Sequence, residues 1–181
     1  MDEKRARFEA EVLPHLDAAL RFARWLSGSP SDAGDVAQEA ILRAFRSFES
    51  LRGSDAKPWL LAIVRNCHAS AFRQAQRRAH MPLPEEHDEQ DGEAMIAATP
   101  GPESLAIRAD EERTLTRLLS TLPEEQREAL VLKELEELSY REIAAVTKVP
   151  IGTVMSRLAR ARTALQARGR EESAGGRHGL S

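Results

Sequence analysis

Residues 139–162 read SYREIAAVTKVPIGTVMSRLARAR, and the spacing of apolar and polar residues in this stretch decides the fold class. Ser139 followed three residues later by Glu142 forms a capping box, in which each side chain satisfies a backbone donor left open at a helix start. The short helix opened there is expected to end near Val146. A turn spans Thr147 to Pro150, and a second helix carries Val154, Leu158, Ala161 and Leu165 on one face. Two short helices joined by so tight a turn fit a helix-turn-helix. Thr153, Ser156, Arg157 and Arg160 are expected on the outward face of the second helix, with Gly152 leaving room for close approach. Side chains near the N-terminus of a recognition helix reach base edges and phosphates in a major groove. Arg157 or Arg160 would grip guanine, and Thr153 and Ser156 would make phosphate or weaker base contacts. A structural helical hairpin with a solvated basic face fits the same pattern, so the choice between the two rests on what surrounds it.

Upstream, Pro123-Glu124-Glu125 starts another helix, with proline in the first turn and acids at the positive end of the dipole. Leu130, Val131 and Leu135 point inward on it, and helical periodicity reaches back through Leu122, Leu118 or Leu119, and Leu115 to about Glu103. The N-terminal part is helical too. Phe8 to Leu26 reads as one helix with Phe8, Val12, Leu16, Ala19 and Phe22 or Ala23 on a stripe, ended by Gly28-Ser29-Pro30-Ser31. A second helix starts near Asp32 to Asp35 and repeats Val36, Ala40, Ile41, Ala44, Phe45 and Phe48. After a polar turn at Gly53 to Asp55, a third runs from about Pro58 to Arg78 with Leu60, Ile63, Val64, Cys67 and Ala71 buried. Aromatic residues make up only 4% of the 181, which suits packed aliphatic helices better than sheet sandwiches. The expected architecture is all-α: a helical domain over 1–79, an acidic, proline-containing linker over 80–102, a helix-turn-helix domain over 103–170, and a flexible tail over 171–181.

The net charge of −3 hides an uneven distribution. Residues 56–80 hold five Lys/Arg and no acid, a net of +5. Residues 81–112 hold ten acids and one Arg, a net of −9. Residues 139–170 hold seven Lys/Arg against Glu142 alone, a net of +6. The two basic blocks mark where phosphates could bind, and the acidic stretch where they could not. Charge by itself leaves open a merely solvated surface, and for the acidic stretch a simple tether.

Other classes find little support. The chain contains no Gly-rich phosphate loop, no paired-carboxylate pocket and no nucleophile with a credible base, so no enzymatic role and no cofactor is expected. His68, His80 and His87 match no standard zinc spacing, and Cys67 reads as a buried structural thiol. A single cysteine forbids an intrachain disulfide and suits a reducing cytoplasm. No apolar run reaches the ~18 residues of a membrane span, and no signal-peptide pattern opens the chain.

A family resemblance enters on three runs: residues 122–130 (LPEEQREAL), 138–144 (LSYREIA) and 150–158 (PIGTVMSRL). Together they resemble region four of an extracytoplasmic-function sigma factor of bacterial RNA polymerase. The resemblance implies that Gly152, Thr153, Ser156, Arg157 and Arg160 read the minus-thirty-five promoter element. The run departs from the family at Lys148, where glycine is frequent in the turn, and at Met155 and Ala159, where basic residues or histidine are frequent.

Residues 35–45 (DVAQEAILRAF) resemble the family's region-two helix that docks on the polymerase. Asp35, Gln38, Glu39, Leu42, Arg43 and Arg46 lie off its buried stripe, and the resemblance makes them the polymerase-binding face. Residues 59–66 (WLLAIVRN) with Arg73 resemble the next helix, which handles the minus-ten element. Asn66, Ser70, Arg73 and Arg77 fall in one row that could follow a DNA backbone and bond a base edge. With Lys57 from the preceding loop, Asn66, Arg73 and Arg77 are the expected minus-ten contacts. Ser70 carries little weight, because an acid is common there, and Trp59 reads as a core anchor rather than a stacking platform. The resemblance further implies core RNA polymerase and promoter DNA as partners, a restraining anti-sigma factor, and an acidic linker that threads toward the polymerase's RNA path. A stand-alone DNA-binding regulator is the competing reading. A sigma-mimicking interaction protein is a third, but such mimics carry a receiver domain that this chain has no room for.

Overall fold

A computed structural model describes residues 2–51, 55–79 and 115–175. Among them every regular element is helical, as the periodicity requires. They divide into two compact units. The first holds α1 (Asp2–Glu11), α2 (Leu16–Ser27), α3 (Pro30–Ser47) and α4 (Ala56–Ala79). The second holds α5 (115–120), α6 (Glu124–Leu130), α8 (Ile151–Gly175) and the greater part of α7 (Tyr140–Thr147). The linker expected over 80–102, and the helical resumption near Glu103, lie outside the described residues.

In the first unit the helix expected from Phe8 to Leu26 is broken. Pro14 has no N–H to donate and its ring collides with the preceding turn, so Leu13–His15 forms a 3-10 turn between α1 and α2. Leu16, placed on the buried stripe by periodicity, is 40% exposed because the register changes at that break. Gly28 ends α2 at φ 68°, its N–H donating to the Arg24 carbonyl at 3.0 Å. The left-handed conformation comes without steric cost only to glycine. The chain re-enters a helix at once. Ser29 caps α3 by accepting from the Asp32 N–H, and Pro30 takes the first helical position. The start at Pro30 precedes the expected Asp32 to Asp35, since proline suits a helix's first turn even when it reads as a breaker.

The core between α2, α3 and α4 is built from Ala19, Phe22, Ala23, Ala33, Val36, Ala40, Ala44, Leu60, Leu61 and Val64, all buried. Alanines at most of the α3 positions let the helices approach closely. Phe8 closes one end, its ring edge-on to Phe45 at 5.2 Å and to Phe48 at 5.4 Å. Phe45 nonetheless stays 37% exposed, Ile41, Trp59 and Ile63 are half-buried, and Ala71 is exposed. The periodic stripes on α3 and α4 are wider than the surface their neighbours cover.

In the second unit Leu119, Leu122, Leu130, Val131, Leu132, Leu138, Ile143, Val154, Leu158 and Ala161 form the core. The choice between Leu118 and Leu119 falls to Leu119, and Leu115 is 37% exposed. α6 does not continue as an α-helix: Val131–Leu135 widens into a π turn, with the Glu136 N–H reaching back to the Val131 carbonyl at 3.1 Å. Glu137, at φ 57°, ends that turn, and the Leu138 N–H closes onto the Leu132 carbonyl at 3.0 Å. α8 runs to Gly175, so the tail expected from residue 171 begins as helix. No described helix is long and apolar enough to cross a membrane.

Candidate nucleic-acid and polymerase interfaces

The capping box forms as the sequence requires. The Ser139 N–H donates to Glu142 Oε2 at 2.7 Å, and the Glu142 N–H to Ser139 Oγ at 3.3 Å. α7 then ends on Lys148 at φ 56°, and the Val149 N–H closes onto the Ala144 carbonyl at 3.2 Å. This is the six-to-one closure in which glycine is the usual left-handed residue. The departure from glycine noted at Lys148 therefore falls on the one turn position whose backbone asks for it. After Pro150 the Thr153 and Val154 N–H groups both bond to the Pro150 carbonyl and open α8.

α8 buries Val154, Leu158 and Ala161. Gly152, Ser156 and Arg160 are exposed, as expected, and Thr153 is half-buried. A Cβ at Gly152 would meet nothing within 4 Å, so no packing inside the unit demands glycine there. Ser156 donates its hydroxyl to the Thr153 carbonyl at 2.9 Å. Arg157 departs from the expectation. Its side chain is only 13% exposed, and Nη2 lies 2.8 Å from Glu125 Oε2 on α6. The guanidinium turns along the core rim instead of outward, so Arg160 is the member of the expected guanine-gripping pair that faces solvent. The signal was present: Arg157 follows Val154 by three residues and precedes Ala161 by four, which places it on the edge of the buried stripe.

Sequence reasoning also missed the other flank of α8. Arg162 Nη2 lies 2.8 Å from Glu134 Oε1 in the π turn. Its hydrogen bonds to Glu134 and then to Tyr140 raise its pKa further above the ordinary value. Lys133 adds its ammonium 5.4 Å above the Tyr140 ring and donates to the Leu138 carbonyl at 3.2 Å. No motif marks these pairs, because they depend on how the π turn meets α8.

On α3, Asp35, Gln38, Leu42, Arg43 and Arg46 are exposed and Glu39 is half-buried. They lie opposite Ala33, Val36, Ala37, Ala40 and Ala44, which are buried. Leu42 is 47% exposed among charges, and Arg43 pairs with Glu39 at 2.6 Å. That hydrogen bond, with the field of Cys67 next, raises the Arg43 pKa. A groove of about 550 Å3 runs between α3 and α4, with Asp35, Glu39 and Arg43 on one wall and Cys67, His68 and Phe72 on the other. Burial pushes the Cys67 thiol up, against the pull of Arg43.

On α4 the polar row forms as spaced. Ser70 donates to the Asn66 carbonyl at 2.9 Å, and Arg73 reaches Ser70 Oγ at 3.4 Å and the Ala69 carbonyl at 3.1 Å. Asn66, Arg73 and Arg77 are exposed. Lys57 stands half-buried at the start of α4, its N–H donating to Asp55 Oδ1 at 3.1 Å.

Among the described residues, a capped helix-turn-helix whose second helix is basic stands beside a separate four-helix unit with a polar face on α3, the make-up of a DNA-binding protein. Comparison with known proteins makes the class specific. Residues 12–78 match the model of sigma-70 region 2, and residues 112–165 that of sigma-70 region 4. The chain is 34% identical over 169 residues to the RNA polymerase sigma-H factor of Pseudomonas aeruginosa, covering 90% of itself and 86% of that protein. It is 37% identical over 139 residues to the ECF RNA polymerase sigma-E factor of Escherichia coli, covering 74% of itself and 72% of that protein. Against the ECF sigma factor SigE of Mycolicibacterium smegmatis the identity is 36% over 86% of the chain, which spans 58% of that relative's length. Among solved structures, the sigma factor RpoE of Bartonella quintana, held by the anti-sigma factor NepR, superposes with a TM-score of 0.68 at 28% identity, over 89% of this chain and 95% of that one. CnrH, solved with the cytosolic domain of CnrY, shares the fold at a TM-score of 0.65 and 22% identity.

The chain belongs to the extracytoplasmic-function group of sigma-70 family RNA polymerase sigma factors. It is therefore a transcription initiation factor, a partner of core RNA polymerase and promoter DNA, and not an enzyme.

Proposed function

We propose that the two units divide promoter recognition between them. α8 lies in the major groove of the minus-thirty-five element through Gly152, Thr153, Ser156 and Arg160. Arg157 acts from behind, as the residue that holds α8. The α4 row of Asn66, Arg73 and Arg77, with Lys57 at its start, follows the minus-ten strand. Asp35, Gln38, Glu39, Leu42, Arg43 and Arg46 on α3 dock on core polymerase. The domain limits 1–79, 80–102 and 103–170 belong to the same reading, with the −9 stretch kept off the duplex by its charge.

The observation that carries this reading is the pairing, in one chain, of a capped helix-turn-helix with an α3 face that exposes Leu42 among charges opposite its buried stripe. A stand-alone regulator needs the first and not the second. The anti-sigma factor bound to the Bartonella relative supports restraint of this chain by such a protein over its polymerase-binding faces. A protein with this task works in the cytoplasm, where polymerase and promoters are. In vitro transcription by core polymerase and the full chain on a promoter library tests the whole. Initiation should depend on the chain, with Asn66→Ala and Arg73→Ala impairing opening and Arg160→Ala impairing upstream binding. Specific duplex binding without initiation on any core enzyme would refute it.

A further inference from the structure

Over its first two turns α8 exposes apolar rather than cationic side chains, with Arg160 following in the next turn. Ile151 and Met155, one turn apart in its first two turns, are 42% and 53% exposed. Ala159, the next turn along, is exposed as well. Single exposed apolar residues are ordinary, but these stand on the part of a recognition helix that reaches furthest into a groove. Two of the polar side chains around them are engaged within the unit: the Ser156 hydroxyl bonds the Thr153 carbonyl, and Arg157 is paired with Glu125. Gly152, three residues before Met155, adds no side chain, and the space its Cβ would take is open. Close approach of the helix thus delivers a thioether and a methyl group. Attraction to the duplex comes from the excess of Lys/Arg over residues 139–170, Arg160 foremost, since Arg157 and Arg162 are paired with Glu125 and Glu134.

The apolar group that a base pair offers in the major groove is the thymine C5-methyl. We infer that Met155, with Ala159 beside it, packs on a thymine methyl in the upstream promoter element, so that an A·T pair in that orientation is a specificity determinant of this protein. The inference rests on α8 being the recognition helix for that element.

The test selects upstream elements from a randomised duplex library with holoenzyme assembled from core polymerase and the full chain. Each thymine in the selected element is then replaced in turn by deoxyuridine, which lacks only the methyl. One replacement should weaken binding about three- to fivefold, the worth of roughly one buried methyl-sized group. Met155→Ala should abolish that difference, and Met155→Leu should keep it. Selection of a defined element in which no thymine methyl matters, or full discrimination retained by Met155→Ala, would overturn the inference and leave the recognition-helix reading standing. Failure to enrich any upstream element, together with unchanged binding by Arg160→Ala, would overturn both.

Discussion

Truncation of Arg157 to alanine should weaken the second unit's fold before it touches DNA affinity. The guanidinium is 13% exposed and lies 2.8 Å from a Glu125 carboxylate that is itself 69% exposed. With one end in water, the pair contributes about 0.5 kcal/mol. Burial of the two stem methylenes that the truncation removes, Cγ and Cδ, adds at most about 0.8 kcal/mol each, an upper bound because the unfolded chain already covers part of them. Nη1 is buried without a hydrogen bond among the described residues, which offsets some of that gain. The net loss should be about 1–2 kcal/mol, or roughly 5–10 °C for a unit of this size. Both tryptophans, Trp25 and Trp59, lie in the first unit, so fluorescence and far-UV circular dichroism separate the two transitions. The dichroism midpoint should fall while the tryptophan midpoint stays. Arg160→Ala should do the reverse: no change in either midpoint, weaker upstream binding, and a salt slope lowered by about 1. An Arg157→Ala protein that melts like the parent yet no longer binds the upstream element would show that the guanidinium leaves Glu125 to read DNA.

Three further outcomes follow from the same structure. Lys148→Gly should stabilise the second unit by about 0.5 kcal/mol, since relief of the left-handed penalty exceeds the entropy gained by the unfolded chain; the urea midpoint followed by dichroism should rise, and Lys148→Ala should not raise it. Ser139→Ala removes the acceptor of the capping box and should cost about 1 kcal/mol in the same measurement. Cys67, its thiol pushed up chiefly by burial, should alkylate slowly in the native protein at pH 8 and rapidly in urea. Because the unfolded thiol loses its proton first, stability is intact below the ordinary thiol value of about 8.5 and falls as pH rises beyond it; Cys67→Ala should flatten that decline.

What was legible in the sequence depended on how local its cause was. The capping box at Ser139, the turn before Pro150 and the α4 row at Asn66, Ser70 and Arg73 are set by residues within a turn or two of one another, and each forms as spaced. The break at Pro14 was equally local, and the apolar stripe from Phe8 to Leu26 outweighed it. Burial at the edges of stripes was not local. Leu16, Phe45 and Ala71 sit on apolar faces by period, yet whether a neighbour covers them is decided by helix crossings that no single helix encodes. Arg157 belongs to the same group. Its charge suggested water, whereas its position beside Val154 and Ala161 placed it at the rim, where a long stem can lie along the core and a carboxylate on α6 can take the head.

Arg157 and Arg162 together carry a consequence for the DNA reading proposed for α8. Successive side chains on a helix are turned by about 100°, so a small rotation of α8 about its axis would exchange the residues that face a groove. The buried stripe of Val154, Leu158 and Ala161 opposes such rotation through close packing, and two ion pairs beside it add to that. Arg157 flanks that stripe on one side and is tied to Glu125 of α6. Arg162 flanks it on the other and is tied to Glu134 of the π turn. Rotation in either direction must stretch one of the two pairs. The wide turn at Val131–Leu135 carries Glu134, so the irregular end of α6 supplies one of the two stops. Neither pair needs to add much stability to do this. What they set is the angular position in which Gly152, Ser156 and Arg160 point outward with Met155 at their edge, and a recognition helix held in one orientation loses less freedom on meeting its site.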